Sequence, residues 1–309
     1  MPLPKAASSL DEASHASLVE LRALAAGAEA RRTETGIPRI AMVQGVIPEH
    51  QLAAVYEPMV NLILQGHKSM SVGDRTLHYD PATYFVMSIE LPAAGLVHPA
   101  STGEPYLAVS LTLDPAILAP LVEDAEDAGS GAEAVAGFSV AAVTPELMDA
   151  WVRMLRLMQR PKEIAALAPA YEREILFRVL QGPHGNMLRA IATPDSAMAR
   201  VNVAIRWIRE HFAEPLRIDK LAERVAMSTS AFHRHFKAVT ALSPLQYQKQ
   251  VRLLHARTLL VARGRGVADA AFEVGYESAT QFGREYARAF GMPPARDAAR
   301  IADRLRLFA

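Results

Sequence analysis

The chain has 309 residues, 50% of them hydrophobic, and its 33 Lys and Arg side chains balance its 33 Asp and Glu side chains. This length and composition exclude a disordered chain and favour two globular domains, at about 100–200 residues per domain. The absence of cysteine excludes a disulfide framework, a thiolate nucleophile and a cysteine-ligated metal, and it is typical of a cytoplasmic protein.

The charge is unevenly distributed along the chain. Residues 195–309 hold 19 Lys and Arg against 11 Asp and Glu, a net charge of +8, and the remainder carries −8. This asymmetry favours a polyanionic partner for the C-terminal part alone. Charges interrupt the first thirty residues and no stretch reaches 18 uncharged apolar residues, so we expect neither a signal peptide nor a membrane span.

The first elements along the chain are a helix and a series of strands. Residues 9–31 place leucines at helical spacing, which predicts an amphipathic helix. Between Ile40 and Leu113 the pattern shortens to strand-like runs separated by turn residues such as Gly73 and Pro92. The predicted strands are 40–44, 59–65, 75–79, 83–88 and 106–113. Their spacing is that of an antiparallel barrel or double-sheet roll.

Helices follow the strands. Asp114 as N-cap and Pro115 at the first helical position predict a helix over 114–125, followed by a loop of small residues over 128–137. Two strongly periodic segments then predict a helical hairpin that could also serve as a dimer surface. These two segments are 144–160 and 162–181, and the Pro- and Gly-rich stretch after them, 182–196, is a linker or a short helix.

The C-terminal part contains one nine-residue pattern twice. The copies are STSAFHRHF from Ser228 and SATQFGREY from Ser278, and a short amphipathic helix precedes each, over 218–228 and 267–278. Each serine is a predicted N-cap, because its hydroxyl can accept a hydrogen bond from a backbone N–H of the first turn. The second turn is one residue longer and contains Gly275, which suits a left-handed conformation. The sequence therefore predicts two helix-turn-helix units.

Helical spacing separates core positions from outward positions in the second helix of each copy. The predicted core positions are Phe232, Phe236 and Val239 in the first copy, and Phe282, Tyr286 and Ala289 in the second. The predicted outward positions are Ser230, His233, Arg234 and Lys237 in the first copy, and Thr280, Gly283, Arg284 and Ala287 in the second, with Gln281 and Arg288 beside them. Most of these side chains can donate hydrogen bonds to bases or phosphates, and the first copy is the better equipped.

The segment between the copies predicts a long connecting helix. Residues 243–266 begin near Pro244 and contain roughly 20 helical residues, which span about 30 Å. This length is close to the ~34 Å pitch of B-DNA, so two reading helices on one chain could enter successive major grooves. Arg263 and Arg265, just before the second copy, are candidate phosphate contacts or solvated charges.

Five stretches carry a family resemblance: LAERVAMS (221–228), AFHRHFK (231–237), LSPLQYQKQVRL (242–253), AFEVGYES (271–278) and QFGREYARAFGMPP (281–294). With them, residues 197–294 resemble the DNA-binding domain of AraC/XylS-type transcription regulators. The resemblance implies DNA contacts by Ser230, His233 and Arg234, and by Thr280, Gln281 and Arg284. The chain departs from the family pattern at Ala295, Arg296 and Asp297, where many members have an aromatic residue followed by Arg, and at Gly283 inside a reading helix.

The N-terminal part is similar to the cupin-like domain of one AraC-type subfamily, through residues 55–80 and 105–115. This resemblance implies an effector-sensing and dimerising domain over 1–193, joined near Thr193 to a DNA-binding domain over 194–309. The predicted fold class is α+β. An N-terminal antiparallel, cupin-like β-barrel with a helical hairpin is followed by an all-α domain with two helix-turn-helix units joined by a long helix.

We interpret the chain as a sequence-specific transcription regulator whose barrel binds a small-molecule effector, without a cofactor or enzymatic activity. Double-stranded DNA and the effector are the expected partners, RNA polymerase is a further candidate, and a monomer and a homodimer both remain open. Alternating strand positions should point into the barrel. They give seven candidate effector contacts, with plain core packing as the alternative for each: Val43, Leu62, Leu64, His78, Phe85, Met87 and Tyr106.

Two enzymatic interpretations compete with this one. A metal-dependent cupin enzyme fused to the DNA-binding module could use four histidines of the β region, His50, His67, His78 and His98. No two of them are one or four residues apart, the spacing that would place two ligands at one barrel site, so we expect ordinary histidines and no metal. DNA alkylation repair needs a cysteine acceptor, which the chain lacks.

Overall fold

The computed structural model describes residues 11–29, 32–45, 53–124, 136–263 and 265–307. Within these ranges the chain forms ten strands and twelve α-helices. The strands are β1 (Thr33–Glu34), β2 (Ile40–Gln44), β3 (Ala54–Tyr56), β4 (Met59–Gln65), β5 (His67–Val72), β6 (Arg75–Tyr79), β7 (Thr83–Met87), β8 (Leu91–His98), β9 (Leu107–Thr112) and β10 (Phe138–Ala142). The helices of the N-terminal domain are α1 (Glu12–Leu24), α2 (Pro115–Asp124), α3 (Pro145–Arg156), α4 (Ile164–Gln181) and α5 (Gly185–Ala192). Those of the C-terminal domain are α6 (Ala197–Glu210), α7 (Ile218–Arg224), α8 (Thr229–Thr240), α9 (Pro244–Arg263), α10 (Val267–Glu273), α11 (Ala279–Phe290) and α12 (Pro294–Leu307).

The strands form two antiparallel sheets rather than a closed barrel. One sheet has the order β1-β2-β9-β4-β7-β10, and the other has the order β3-β8-β5-β6. Within the described ranges no strand of one sheet pairs with a strand of the other, so of the two predicted arrangements the double-sheet roll forms and the barrel is not closed. The sheets face each other, because Phe85 of β7 stacks on Tyr79 of β6 with ring centroids 5.2 Å apart. The N-terminal domain therefore has an interior between two sheets.

The five predicted strands form, and β2, β4 and β6 have the predicted bounds. The sequence pattern misses β1, β3, β5, β8 and β10. Strand β8 contains Pro92, which we predicted to be a turn residue; Pro92 is tolerated near the start of the strand, opposite Val55 of the three-residue edge strand β3. Strand β5 is missed because its sequence, HKSMSV, places Lys68 at a buried position.

Helices cover the outer face of the six-stranded sheet. Tyr84 of β7 contacts His184, which precedes α5, edge to face with ring centroids 4.8 Å apart. Helix α1 is shorter than the predicted 9–31 helix and lies on β4, where Arg22 Nε donates a hydrogen bond to the Leu64 carbonyl (2.6 Å). Helices α3 and α4 form the predicted hairpin, and α5 is a short helix within 182–196. Most of the predicted loop 128–137 lies outside the described residues.

One buried apolar cluster runs through the N-terminal domain into the first helix-turn-helix unit, and a second cluster belongs to the other unit. The first cluster extends along the chain from Leu18 to Val251, and the second from Leu253 to Tyr286. The two domains also share polar contacts, since the Gly137 N–H donates a hydrogen bond to the Val239 carbonyl (2.9 Å). The first unit is therefore packed against the sheets, whereas the second unit has its own core.

Asp297 joins three helices of the C-terminal domain. Its carboxylate is fully buried (0% exposed) and accepts hydrogen bonds from Arg257 Nε of α9 (2.9 Å) and from the Tyr286 hydroxyl of α11 (2.9 Å). Arg300, one turn further along α12, donates a third hydrogen bond at 3.0 Å. The position at which the chain departs from the family pattern is thus the anchor of the last helix.

We expect Asp297→Ala to destabilise the second unit by about 3–5 kcal/mol, because it removes the buried carboxylate that Arg257, Tyr286 and Arg300 share. Hydrogen exchange followed by mass spectrometry should show faster exchange in α11 and α12 and unchanged exchange in α8. Arg296→Ala, at the exposed neighbouring position, is the control. Equal protection of α11 in the Asp297 variant and the wild type would contradict this assignment.

Candidate nucleic-acid interface and candidate ligand site

Each helix-turn-helix unit is built from a short helix, a tight turn and a serine-capped reading helix. Helices α7 and α8 form the first unit, and α10 and α11 form the second; α8 and α11 are the two reading helices. Ser228 Oγ and Ser278 Oγ each accept a hydrogen bond at 3.3 Å from a backbone N–H three residues later. Both turns contain a left-handed residue, Ala226 (φ 52°) and Gly275 (φ 86°). The N-caps and the Gly275 conformation are as predicted, whereas the left-handed Ala226 is not.

Gly275 is required by a close approach as well as by its backbone angle. A Cβ at this position would lie 2.0 Å from the Ala213 carbonyl oxygen. At Gly283 a Cβ would have no atom within 4 Å, so nothing in the described structure requires a glycine there. Gly283 therefore weakens the second reading helix without a packing benefit.

The structure exposes all eight predicted DNA-contact residues. They are Ser230, His233, Arg234 and Lys237 on α8, and Thr280, Gln281, Arg284 and Arg288 on α11. The predicted core phenylalanines and Tyr286 are buried, but Ala289 is exposed and its assignment to the core is wrong. Its counterpart Val239 is 1% exposed, and its carbonyl accepts a hydrogen bond from the Gly137 N–H of the N-terminal domain, whereas α11 packs against α10 and α12.

The two reading helices differ in charge. Helix α8 contains no acidic residue, whereas α11 contains Glu285. Glu285 accepts hydrogen bonds from the Tyr276 hydroxyl (2.9 Å) and from Gln281 Nε2 (3.3 Å). One predicted DNA contact of the second unit is thus already paired within the protein.

Arg252 holds the two units together. This residue of α9 donates hydrogen bonds to the carbonyls of Phe212 (2.6 Å), Ala213 (3.1 Å) and Glu214 (2.9 Å), which precede the first unit. It also donates one to the carbonyl of Gly275 in the turn of the second unit (3.0 Å). Arg252 belongs to a family motif in the sequence, but this role could not be predicted there, because carbonyl acceptors give no sequence signal.

Helix α9, the linker helix that joins the two units, has the predicted length. Its 20 residues span about 30 Å. Arg265, a candidate phosphate contact, forms an ion pair with Glu273 across the start of the second unit. The side chain of Arg263 lies outside the described residues.

The N-terminal domain touches the first reading helix through the tip of the β5–β6 hairpin. Asp74 and Arg75 at this tip line a groove of about 500 Å³ together with His233, Arg234 and Lys237 of α8. The contact is close, because a Cβ on the adjacent Gly73 (φ 60°) would lie 2.7 Å from the Ala241 carbonyl oxygen at the end of α8. Three predicted DNA contacts therefore adjoin the N-terminal domain.

The predicted effector contacts do not line one site. Leu62 pairs with Tyr84, and Phe85 pairs with Asn61, so Leu62 and Phe85 lie on opposite faces of the six-stranded sheet. Leu62 shares the helix-covered face with Tyr84. The prediction of a common pocket is wrong because the alternation was read separately in each strand, without the register between strands.

The remaining candidates divide in the same way. Met87 and Val43 share the inter-sheet face with Phe85, and Tyr106 is buried. Leu64 lies at the irregularity between Ile63 and Gln65, where the β4–β9 register shifts. His78 is exposed, with its Nδ1 2.9 Å from Ser69 Oγ, and does not point inward. The inter-sheet interior also contains Lys68, Tyr56 and Tyr79, which are not among the predicted effector contacts.

Two sequence-family models match the chain. The model described as AraC-type transcriptional regulator N-terminus matches residues 36–187, and the model described as helix-turn-helix domain matches residues 221–300. The chain belongs to the AraC/XylS-type family of transcription regulators.

The regulator is similar to HTH-type transcriptional activators named RhaS. It is 33% identical over 143 residues to RhaS of Escherichia fergusonii, covering 45% of this chain and 51% of RhaS. It is 28% identical over 145 residues to RhaS of Escherichia coli O1:K1, covering 46% of this chain and 51% of that relative. The chain thus spans about half the length of the curated relatives it matches.

In fold, the regulator resembles ToxT of Vibrio cholerae. A crystal structure of wild-type ToxT with a bound unsaturated fatty acid aligns with a TM-score of 0.52 at 7% identity, covering 84% of this chain and 92% of that chain. The likeness concerns the fold alone.

The comparisons give no support to the metal-dependent enzyme. His67 and His98 stack across β5 and β8 with ring centroids 4.3 Å apart, a pairing that their spacing in the sequence does not reveal. Burial and the neighbouring His98 lower the pKa of His67. No group of three or more His, Asp or Glu side chains in the described ranges could hold a metal ion, and His50 lies outside those ranges. None of the described helices is long and apolar enough to cross a membrane.

We expect Gly283→Ala to raise the free energy of unfolding of the second unit by up to about 1 kcal/mol, because alanine favours the helix and its methyl group meets no neighbour. Slower hydrogen exchange in α11 would show the effect. Gly275→Ala is the matched control and should destabilise the same unit, since its Cβ would collide with the Ala213 carbonyl. Faster exchange in the Gly283 variant would contradict the open surroundings of this residue.

Proposed function

We propose that the regulator reads a specific DNA sequence with its two reading helices, and that a small molecule bound in the N-terminal domain controls this reading. The main support for this proposal is the pair of capped reading helices. Each exposes donor side chains, and a helix of 20 residues joins the two units. Such a helix is about 30 Å long, close to the ~34 Å that separates successive major grooves.

The first unit is proposed as the main source of specificity. Arg234 is suited to a bidentate contact with guanine, and Ser230 and His233 can donate to base edges or phosphates. Lys237 lies one turn further along α8 and is suited to a phosphate. On the second unit, Thr280, Arg284 and Arg288 are proposed contacts. Gln281 is a further proposed contact once its hydrogen bond to Glu285 is broken.

A small-molecule effector is supported by the fold. ToxT, which shares the fold, has been crystallised with an unsaturated fatty acid and with a naphthalenyl butenoic acid. The shared core between the sheets and the first unit offers a physical route from a ligand to DNA binding. A ligand acts on this route only through a difference in its affinity for two arrangements of the protein.

A regulatory role without enzymatic activity is proposed, because the RhaS relatives are transcriptional activators. RNA polymerase is then a proposed partner of the DNA-bound protein. The proposed compartment is the cytoplasm, where DNA and RNA polymerase are both present. The exposed side of the α3–α4 hairpin is a candidate dimer surface.

Selection of binding sites from random DNA by the full chain tests the proposal. We expect an enriched site with two blocks whose centres are about 10–10.5 base pairs apart, one for each reading helix. Enrichment of no sequence above the starting pool would overturn a sequence-specific role.

We expect Arg234→Ala to cost ~1–3 kcal/mol of binding to the selected site and to relax the base preference in one block. Arg284→Ala should cost less specificity, because the second unit has fewer donors. Titrations on the selected site and on single-base variants measure both effects, with Arg160→Ala in the N-terminal domain as a control. A larger loss of specificity for Arg284→Ala would show that the proposed order of the two units is reversed.

We expect Lys237→Ala to weaken binding to all DNA sequences about equally and to reduce the slope of log affinity against log salt by roughly one unit. Arg32→Ala, at an exposed cationic residue of the N-terminal domain, should leave the slope unchanged. A sequence-dependent loss would instead assign Lys237 to a base.

A further inference from the structure

Lys68 is a buried lysine on the inner face of the four-stranded sheet. It is 8% exposed and lies on the same face of β5 as the buried Met70 and Val72. Its neighbours across the sheet are Tyr79 of β6 and Val97 of β8, which are also buried. The ammonium group of Lys68 therefore lies between the two sheets.

No carboxylate of the described residues forms an ion pair with Lys68. Its Nζ lies 4.9 Å from the centroid of the Tyr56 ring, a cation–π contact. Burial lowers the pKa of Lys68 to about 8. A buried ammonium without a carboxylate is destabilising, so the position is unfavourable for the stability of the protein alone.

Polar atoms without partners lie in the same interior. Tyr79 is buried, and its hydroxyl has no hydrogen-bond partner among the described residues. Burial and the nearby hydroxyls of Tyr106 and Tyr56 raise its pKa, which keeps it a neutral donor. On the facing sheet, Asn61 Nδ2 donates to the Val109 carbonyl (3.1 Å), whereas its buried Oδ1 accepts no hydrogen bond from the described residues.

We propose that the inter-sheet interior binds a small carboxylic acid, whose carboxylate accepts hydrogen bonds from Lys68 Nζ and the Tyr79 hydroxyl. The proposal rests on the effector role proposed above and names the chemical class of the effector. The rings of Tyr79, Phe85 and Tyr56 and the side chain of Met87 provide an apolar, largely aromatic wall for the rest of the ligand. A carboxylate supplies the negative charge that the described residues do not place beside Lys68.

The β5–β6 hairpin connects this position to the first reading helix. Lys68 and Tyr79 pair at its open end, and Gly73 and Asp74 form its tip. At ~3.3 Å per residue, the five residues from Lys68 to Gly73 span about 17 Å. The tip contacts Ala241 and lines the groove with Lys237. A ligand that draws Lys68 and Tyr79 together therefore acts on a two-stranded element that touches the DNA-reading surface.

Binding of defined acids to the full chain tests the proposal. The probes are benzoate and octanoate, with benzamide and octanamide as uncharged counterparts, followed by calorimetry and by the shift in Tm. We expect an acid to bind and raise Tm, and Lys68→Met to weaken it by about tenfold to a hundredfold, the loss typical of a charged hydrogen bond. Lys220→Met, the same change at an exposed position, should bind the acid like the wild type. Equal binding by Lys68→Met, stronger binding of the amides, or no binding of either acid at millimolar concentration would overturn the proposal.

Two further measurements exclude a purely structural role. Without ligand, Lys68→Met should have a Tm equal to or above that of the wild type, because it removes a buried charge; a clear fall would assign Lys68 to stability and overturn the proposal. Tyr79→Phe removes one hydroxyl and should weaken acid binding several-fold while the protein stays folded. Unchanged acid binding would remove Tyr79 from the site and contradict the proposed pair of donors.

DNA binding separates this inference from the proposed function. On the selected DNA site, the acid should change the affinity of the wild type, and Lys68→Met should keep the ligand-free affinity and lose the change. If the wild type binds a specific site and no acid alters its affinity, the carboxylate effector is wrong and the DNA-binding function stands. If the wild type selects no DNA sequence but binds an acid through Lys68, the site stands and the proposed function fails.

Discussion

Docking of the C-terminal domain, with its first helix-turn-helix unit, onto the sheets is the constraint on which the rest of the structure depends. Tyr247, on the linker helix, is fully buried, and its hydroxyl donates a hydrogen bond to the Glu90 carbonyl between β7 and β8 (2.9 Å). The side chain of Glu90 forms an ion pair with Arg209 of α6. One residue of the N-terminal domain thus binds two helices of the C-terminal domain. Undocking would expose part of a continuous apolar core to water and would replace these hydrogen bonds and ion pairs by hydrogen bonds to water.

This constraint explains why two similar units are stabilised differently. The first unit shares an apolar cluster with the N-terminal domain, which also supplies the Gly137 N–H to the Val239 carbonyl. The second unit lacks that support, and the buried Asp297 fastens its reading helix to the linker helix and to α12 instead. Arg252 then sets the arrangement of one unit against the other through four carbonyls. The repeat in the sequence is symmetric in its caps and core aromatics, and its environments are not.

The sequence reveals what depends on local chemistry. Serine caps, the glycine turn, the outward face of each reading helix and five of the ten described strands all follow from neighbours along the chain. The features it misses depend on residues far apart. Leu62 and Phe85 look equivalent until the pairing of β4 with β7 places them on opposite faces. Lys68 belongs to a strand whose polar sequence gives no sign that its side chain is buried. Asp297 is only a departure from a motif in the sequence, and its role is evident from its contacts with Arg257 and Tyr286. Register and tertiary partners are not encoded in any short window.

The docked arrangement places the N-terminal domain against the better equipped of the two reading helices. An α-helix with its side chains is about 10–12 Å across and the major groove is about 12 Å wide, so a reading helix in the groove meets DNA on all of its exposed sides. Asp74 and Arg75 already share a groove with Arg234 and Lys237, and the Asp74 carboxylate would be repelled by phosphates. In the proposed DNA complex, DNA and the hairpin tip therefore compete for one face of α8, whereas α11 packs only against helices of its own domain among its main contacts. A ligand bound between the sheets, as proposed, controls DNA binding only through a difference between its affinities for the docked and the undocked arrangement. The β5–β6 hairpin is the element that reaches from the interior to that face of α8.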